Sequence, residues 1–536
     1  MTSTVPEYPD QLDRAVLKVA GVVVLGAIMS ILDITVVNVA LPTFQVAFGS
    51  PDDPIAYSHV AWTVTSYTLA LATVIPLTGW AADRFGTKRL YMTAIFLFAL
   101  GSGLCSTAWS IDALIGFRVL QGLGGGMLMP LGMTILTRAA GPKRMGRLMA
   151  VLGVPMLLGP IGGPILGGWL IQVASWHWIF LINVPIAVIA IVYAWRVLEP
   201  DSPEPSESFD FLGMALMSPG LALFLFGVSS IPDEGTFTAP RVWVSMLVGA
   251  VLVATFVWHS FRPAHPLLDL RLFKHRQLAV SVMTMVLFIA AFFGGLLLVP
   301  TYYQEVRGES TLNAGLLVAP QGLGAMLTMP IAGTLADRLP IGRITPVGLT
   351  VILIGLFGFT QIGADTPIPL VMGMLFVIGL GMGATMMPLF TAALKTLSHH
   401  EAARGSTLLN ITQQISSSCG VAVMSVILTD HLNSSPLIPG SDRIPSLPGG
   451  LTEAAAAIMS QTRPGVFHQL STALHVGPGL VSRGLDDAAA AFAHTYWVAW
   501  ILVALTLIPA LMLPRRVKDD ERFEDTTEPE EPVILP

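Results

Sequence analysis

Apolar residues fill this chain in long runs, each about the 20 residues a helix needs to cross a bilayer. Fourteen such runs occur, at 16-40, 59-82, 90-107, 112-137, 147-171, 178-198, 211-230, 242-261, 278-304, 312-336, 344-363, 368-392, 405-429 and 491-513. The pattern predicts an all-α polytopic membrane protein with 14 transmembrane helices. An even number of crossings places both termini on one side.

Composition strengthens this reading. The chain is 53% hydrophobic and 12% charged, whereas a soluble domain carries about 25% charged residues. The first fifteen residues are polar with scattered acids. They lack the basic start of a signal peptide, so the first apolar run is read as a span. Both cysteines, Cys105 and Cys419, lie in apolar runs, and no disulfide framework is implied. The net charge of -6 says little about partners, and nothing implies a nucleic acid. Acids cluster from Asp519 to Glu531 in a polar, proline-containing tail, the composition of a disordered segment.

Lys and Arg fix the orientation, because cytoplasmic loops carry the excess. With the N-terminus inside, the outer segments hold only Arg241, Arg307, Arg443, Arg463 and Arg483 of the 28 basic residues. Arg118 alone falls within a span, and the rest are cytoplasmic. The one long connection, 430-490, lies outside. Its alanine-rich stretches suit short interfacial helices, and nothing in it suggests a catalytic domain.

The chain also repeats itself. Gly79-Trp-Ala-Ala-Asp83-Arg84-Phe-Gly86-Thr-Lys88-Arg89 ends the second span, and Gly333-Thr-Leu-Ala-Asp337-Arg338-Leu-Pro340-Ile-Gly342-Arg343 ends the tenth. The fourth span carries Gly122-Leu-Gly-Gly-Gly-Met-Leu-Met129-Pro130, and the twelfth carries Gly379-Leu-Gly-Met-Gly-Ala-Thr-Met-Met387-Pro388. Two parallel six-helix halves are therefore predicted, at 16-198 and 278-513, with two inserted helices in 199-277. Segments 1-15 and 514-536 are cytoplasmic. Paired halves are a transporter architecture, with cargo held between them near the midplane.

Arg118 is the most unusual residue in this plan. A guanidinium in hydrocarbon costs at least roughly 2.5–3.5 kcal/mol on insertion scales. It shares its span with Gln121 and a run of glycines, and its counterpart in the second half falls on Leu375 or Phe376. The fold is repeated and the charge is not, which favours a task for Arg118. Asp33 lies seven residues inside the outer end of the first span, and Arg118 six inside the fourth. At about 1.5 Å per residue the two stand at similar depth and are expected to pair, directly or through water. A cation lowers a carboxylate's pKa and desolvation raises it. A change in their separation would then switch proton affinity; the alternative is a fixed pair that only locks helices.

In the fifth span Gly159, Gly163 and Gly167 form a stripe beside Pro160, Pro164 and Gly168. Such stripes allow close helix contact, and prolines bend helices.

Four motifs in order resemble those of the major facilitator superfamily and, more narrowly, its fourteen-helix drug:proton antiporters of the EmrB/QacA type. These are Leu32-Asp33-Ile-Thr-Val-Val-Asn38-Val-Ala-Leu41-Pro42, Gly79 to Arg89, Arg118 to Gly126, and Gly159 to Gly168. The string Trp176-His177-Trp178-Ile-Phe-Leu-Ile-Asn183-Val-Pro185 is also similar, with His177 where the family usually has Arg. The resemblance runs from about Val16 to Pro514. It implies a major facilitator fold and proton roles for Asp33 and Arg118. It implies a conformational latch at Asp83, Arg84, Gly86, Lys88 and Arg89, of which topology and capping account for much of Lys88 and Arg89. The second copy, altered by Pro340, is expected to be weaker. It also ties the helix-5 stripe to antiport, through a seal between the halves.

Candidates for the cargo cavity are Asn38, Trp62, Tyr67, Gln121, Gln321, Asn410, Gln413 and Gln414. The 24 methionines and 25 phenylalanines suit an adaptable apolar pocket, though most simply pack or face lipid. The second half has no deep carboxylate, and where some relatives carry extra acids this chain has Gln413 and Gln414. Dicationic drugs are thus less favoured than neutral or amphiphilic cargo.

No cofactor is implied. The glycine clusters lie within spans and lack a P-loop ending, and no His/Cys cluster suggests a metal; His399 and His400 fall in a cytoplasmic connection. The expected function is export of drugs or amphiphiles in exchange for protons. Export of one endogenous lipid or metabolite is the alternative. A membrane enzyme lacks a nucleophile–base constellation here, and four intact motifs argue against a non-transporting receptor. The expected location is the inner (cytoplasmic) membrane. A monomer suffices for the fold, and a periplasmic adaptor is compatible with it where the cell has an outer envelope.

Overall fold

The computed structural model describes residues 13–49, 55, 57–140, 144–200, 209–234, 238–263, 266–309, 311–395, 402–434 and 478–515. These form α1 (Arg14–Ala47), α2 (Tyr57–Phe85), α3 (Thr87–Cys105), α4 (Ile111–Ala140), α5 (Met145–Val173), α6 (Trp178–Leu181), α7 (Asn183–Val197), α8 (Phe211–Glu234), α9 (Pro240–Ser260) and α10 (Arg276–Glu305). They continue as α11 (Thr311–Arg338), α12 (Ile341–Phe359), α13 (Ile368–Leu394), α14 (Ala402–Ser434) and α15 (Pro478–Leu511). No strand occurs among the described residues. Twelve stretches of these residues are long and apolar enough to cross a membrane. Helices α3 and α5 occupy the two remaining positions of the expected pattern.

The two halves pack by the same rules. In the first, α2 and α3 pack on α4, and α1 packs on α4, α5 and α7. In the second, α11 and α12 pack on α13, and α10 packs on α13, α14 and α15. Between halves, α2 meets α14 and α5 meets α11. The second helix of each half thus meets the fifth of the other, as a two-fold axis requires. The inserted α8 and α9 pair with each other, and α8 lies against both α2 and α14. Ser218 of α8 donates to Thr73 O at 2.7 Å, and Trp62 of α2 stacks on Phe226 at 5.6 Å.

Glycines set the close approaches around α4. A Cβ at Gly122 or Gly126 would strike α2 at Tyr67 or Leu71, one at Gly124 would strike α3 at Phe98, and one at Gly101 of α3 would strike Gln121. The four form the small-residue surface that lets backbones touch in a membrane.

The sixth span is broken. Pro185 has no N–H to give, and its ring conflicts with the carbonyl four residues back, at Leu181, where α6 ends. Helix α7 restarts at Asn183. Helix α1 runs to Ala47, beyond the expected end at 40. Helix α14 extends to Ser434 and α15 begins at Pro478. Most of the long outer connection and the acidic tail lie outside the described residues, as do His399 and His400.

Asp13 caps α1 by accepting from Val16 N at 2.7 Å, and it meets the buried Arg144 at 3.2 Å. The Val16 amide above all, with help from the Arg144 guanidinium, holds its carboxyl below the ordinary value of 3.8 against the opposing effect of desolvation. A lowered pKa contributes stability above the unfolded value and loses it as pH falls through the folded one. Asp13→Ala is therefore expected to speed amide exchange at Val16 several-fold at pH 7. The difference from wild type should close as pH falls below 3.8. A gap that persists at low pH would remove the charge from this explanation.

Candidate functional site

Arg118 is fully buried, and every group around it comes from the first half. Its Nη1 donates to Asp33 Oδ2 at 2.5 Å and to Gln121 Oε1 at 2.8 Å. Its Nε donates to Thr63 O at 2.9 Å. The guanidinium lies 4.1 Å from the Tyr67 ring centroid, within cation–π range. Its Nη2 has no hydrogen-bond partner.

Asp33 is saturated from its other oxygen. Gln121 Nε2 donates to Oδ1 at 2.7 Å, and Asn183 Nδ2 reaches it at 3.3 Å. Ser102 Oγ accepts from both amides, at 3.1 Å each, and donates to Phe180 O at 2.9 Å. The break in the sixth span matters here, because it sets Asn183 at the start of α7 with its amide turned into the bundle. One carboxylate thus gathers groups from α1, α3, α4 and α7. A buried pair of this kind is costly to break from one side.

At the cytoplasmic ends, as oriented by charge, two further aspartates cross the seam between halves. Asp337, at the end of α11, accepts from Gly146 N at 2.8 Å and Arg147 N at 3.3 Å. These amides lie in the first turn of α5, the positive end of its dipole. Arg147 Nε adds a bond at 3.1 Å, and Lys395 Nζ lies at 3.5 Å. Asp83, at the end of α2, faces Arg138 at 3.3 Å and Arg404, in the first turn of α14, at 3.9 Å. The second copy, expected to be the weaker, is the more buried of the two. The Asp337 side chain is 4% exposed against 21% for Asp83. Pro340 does not disturb Asp337, because it lies beyond α11 as the residue that caps the start of α12. Deeper along the seam, Thr134 and Ser406 hydroxyls stand 2.7 Å apart, and Asn410 Nδ2 donates to Ser406 O at 2.8 Å.

A family model described as Major Facilitator Superfamily matches residues 23–421. The chain belongs to this superfamily. It is 47% identical over 518 residues to the multidrug resistance protein B homolog of Mycobacterium tuberculosis, covering 96% of this chain and 93% of that one. It is 30% identical over 448 residues to the multidrug export protein EmrB of Haemophilus influenzae, covering 81% and 86%. Among solved structures, the human organic anion transporter MFSD10 aligns with a TM-score of 0.58 at 16% identity, over 92% of this chain and all of that one. That likeness concerns the fold. Membership makes the protein a multi-pass membrane transporter and not an enzyme.

Within this major facilitator fold, the Gly79 to Arg89 motif divides its labour. Asp83 reaches across the seam. Gly86 takes φ 88°, a left-handed turn that glycine adopts freely, so α3 starts immediately after α2. Lys88 Nζ donates to Trp195 O at 2.8 Å and Leu198 O at 2.5 Å, closing the C-terminal end of α7. Arg84 and Arg89 are exposed and line a surface cleft at this inner end.

The helix-5 stripe faces a different neighbour from the one expected. A Cβ at Gly159, Gly163 or Gly167 would run into Ile31, Thr35 or Val36 of α1, within the first half. Thr35 Oγ1 donates to Gly159 O at 3.1 Å, and Gly168 faces open space. The Pro160 and Pro164 side chains lie outside the described set. Helix α5 meets the second half through its inner end, where Gly146 touches Gly333 and Gly153 faces Met329 and Met387. Gly163→Leu would press on Thr35, two residues from Asp33, and overpacking costs about 1–3 kcal/mol. Transport is expected to be lost while the protein still reaches the membrane at near-normal abundance. Normal transport by this variant would separate the stripe from the buried network.

The cavity candidates scatter. Tyr67 and Gln121 are fully buried in the Arg118 network. Trp62 packs on α8, with the Arg241 guanidinium 6.0 Å from its ring. Gln321 is buried beside Gly379 with Oε1 unpartnered, and Asn410 sits at the seam. Gln413 and Gln414 are half-buried and Asn38 is exposed. Sequence reasoning missed Ser102, Asn183 and Thr63 O as members of the network. The Trp176 to Pro185 string held the signal for Asn183, since Pro185 already marked a break there.

Proposed function

We propose that this protein exports drugs or other amphiphilic small molecules from the cytoplasm or inner leaflet in exchange for protons. The observation that carries the reading is the fully buried Asp33–Arg118 pair, present in one half of a duplicated bundle and absent from the other. A structural strut would serve both halves equally. The relatives named for multidrug resistance and multidrug export supply the cargo class. Among the described residues no carboxylate lies deep in α10–α15, which favours neutral or amphiphilic cargo over dications.

The cycle follows from the seam. The inner ends are joined by Asp337 to α5 and by Asp83 to α14, so cargo leaves on the outer side from this state. Protonation of Asp33 from outside would loosen its hold on Arg118 and Gln121, shift α1 against α4, and favour release of the inner joints. Proton loss to the cytoplasm would reset the pair. In this reading fourteen helices cross the cytoplasmic membrane, a monomer suffices, and the proton gradient replaces any cofactor. Reconstituted protein under an imposed pH gradient tests it. Amphiphile-stimulated proton flux is the expected result. Its absence across chemically diverse ligands would sink the proposal, and a response to a single lipid or metabolite would narrow the cargo.

A further inference from the structure

A cleft of about 480 Å³ opens at the inner end of α2 and α3, lined by Arg84, Phe85, Arg89, Leu90 and Thr93. Its shape comes from the Gly86 turn, which brings the last two residues of α2 and the first turn of α3 onto one surface. Both guanidinium-bearing residues are exposed, and Phe85 is 52% exposed. That ring rests edge-on against Trp80 at 5.7 Å, and Trp80 packs on Phe209 at 4.4 Å. An exposed aromatic group at the cytoplasmic end of a span stands where headgroups meet acyl chains.

The cleft is graded along the membrane normal. Arg84 and Arg89 hold its rim. Leu90 and Thr93 lie further along α3, toward the membrane interior. The Thr93 hydroxyl is turned back onto Arg89 O at 2.9 Å. Phe96, one turn deeper again, is 55% exposed and extends the apolar track. Guanidinium groups match phosphate oxygens with paired hydrogen bonds, and basic pockets on the cytoplasmic side hold anionic headgroups. A free phosphate would use the rim alone and leave the apolar floor without an occupant.

We propose that this cleft seats an anionic glycerophospholipid of the inner leaflet. Its phosphodiester lies between Arg84 and Arg89, and one acyl chain runs along Phe85 and Leu90 toward Phe96. The site uses no residue of the Asp33 network, and although Arg84 and Arg89 belong to the Gly79 to Arg89 motif, its test reads lipid retention and not transport.

The test is native mass spectrometry of the full chain released from detergent containing phosphatidylglycerol and phosphatidylcholine of matched acyl length. Wild type is expected to retain one phosphatidylglycerol in preference to phosphatidylcholine. Arg84→Gln/Arg89→Gln should lose that preference, with affinity falling roughly tenfold or more. Thermal unfolding of both proteins in parallel checks that the variant is folded. A folded variant with undiminished preference would overturn the proposal, as would equal retention of the two lipids by wild type. Retention of inorganic phosphate with the same dependence on both arginines, and no gain from acyl chains, would make the site a free-anion site and overturn the lipid.

Discussion

Asp33→Asn is expected to abolish uphill, proton-driven export while leaving some downhill exchange of cargo. The carboxylate meets Arg118 at 2.5 Å and Gln121 at 2.7 Å, with no solvent exposure of its side chain. Neutralising it leaves a guanidinium buried without a counter-charge, which typically costs about 3–5 kcal/mol. Arg118→Gln removes the opposite charge, with a cost of the same order. Loss of transport in either single variant therefore has two explanations, a damaged fold or a broken coupling.

The double variant Asp33→Asn/Arg118→Gln separates them. Removing both members of a buried pair is often close to neutral for stability, and the remaining amides can hydrogen-bond to Gln121, Ser102 and Asn183. Thermal stability is expected to recover most of what each single variant loses. Proton-coupled transport is expected to stay absent, because the site no longer holds the carboxyl group to which the proposal assigns the proton. Proteoliposomes with a pH-sensitive dye inside read the second quantity, and unfolding in detergent reads the first. A double variant that regained both stability and amphiphile-stimulated proton flux would make the pair a strut.

Much of this site was legible because depth along a helix can be counted. Asp33 and Arg118 stand at matching distances from the outer surface, and the structure joins them directly. Their surroundings were less legible. Tyr67 and Gln121 read as polar residues on inward faces, a description that fits a cavity wall and a buried network equally. Which one holds depends on how closely α4 approaches α2 and α3, and that is set by Gly101, Gly122 and Gly124 acting together. The helix-5 stripe shows the same limit. Spacing revealed a flat surface on α5, but not that α1 would occupy it. Asp337 was undervalued for another reason. Pro340 changes the motif as a string of letters, whereas the joint is made by the carboxylate that precedes it and by backbone amides of α5, which no side-chain pattern records.

That last point leads to the second large effect. Asp337→Ala removes four interactions at once: two amide hydrogen bonds at the start of α5, the Arg147 contact, and the proximity of Lys395. Hydrogen bonds to a charged group are worth about 1.5–3 kcal/mol each. Even one such bond, if made only while the inner ends are closed, shifts the equilibrium by roughly 10- to 150-fold, at about 1.4 kcal/mol per decade. Asp83→Ala is expected to do less. Its side chain is more exposed, 21% against 4%, toward the range where ion pairs contribute about 0.2–1 kcal/mol. Spin labels on the inner ends of α5 and α11 would report the difference as a distance distribution. Wild type should hold a narrow short-distance population, Asp337→Ala should move most of it to longer separations, and Asp83→Ala should change it little. Gly146→Val provides an independent check, because its added side chain would meet Gly333 O and the Asp337 carboxylate and open the same joint without touching a charge. If Asp83→Ala opened the inner side more than Asp337→Ala, the principal closure would lie at the α2–α14 seam and not at α5–α11.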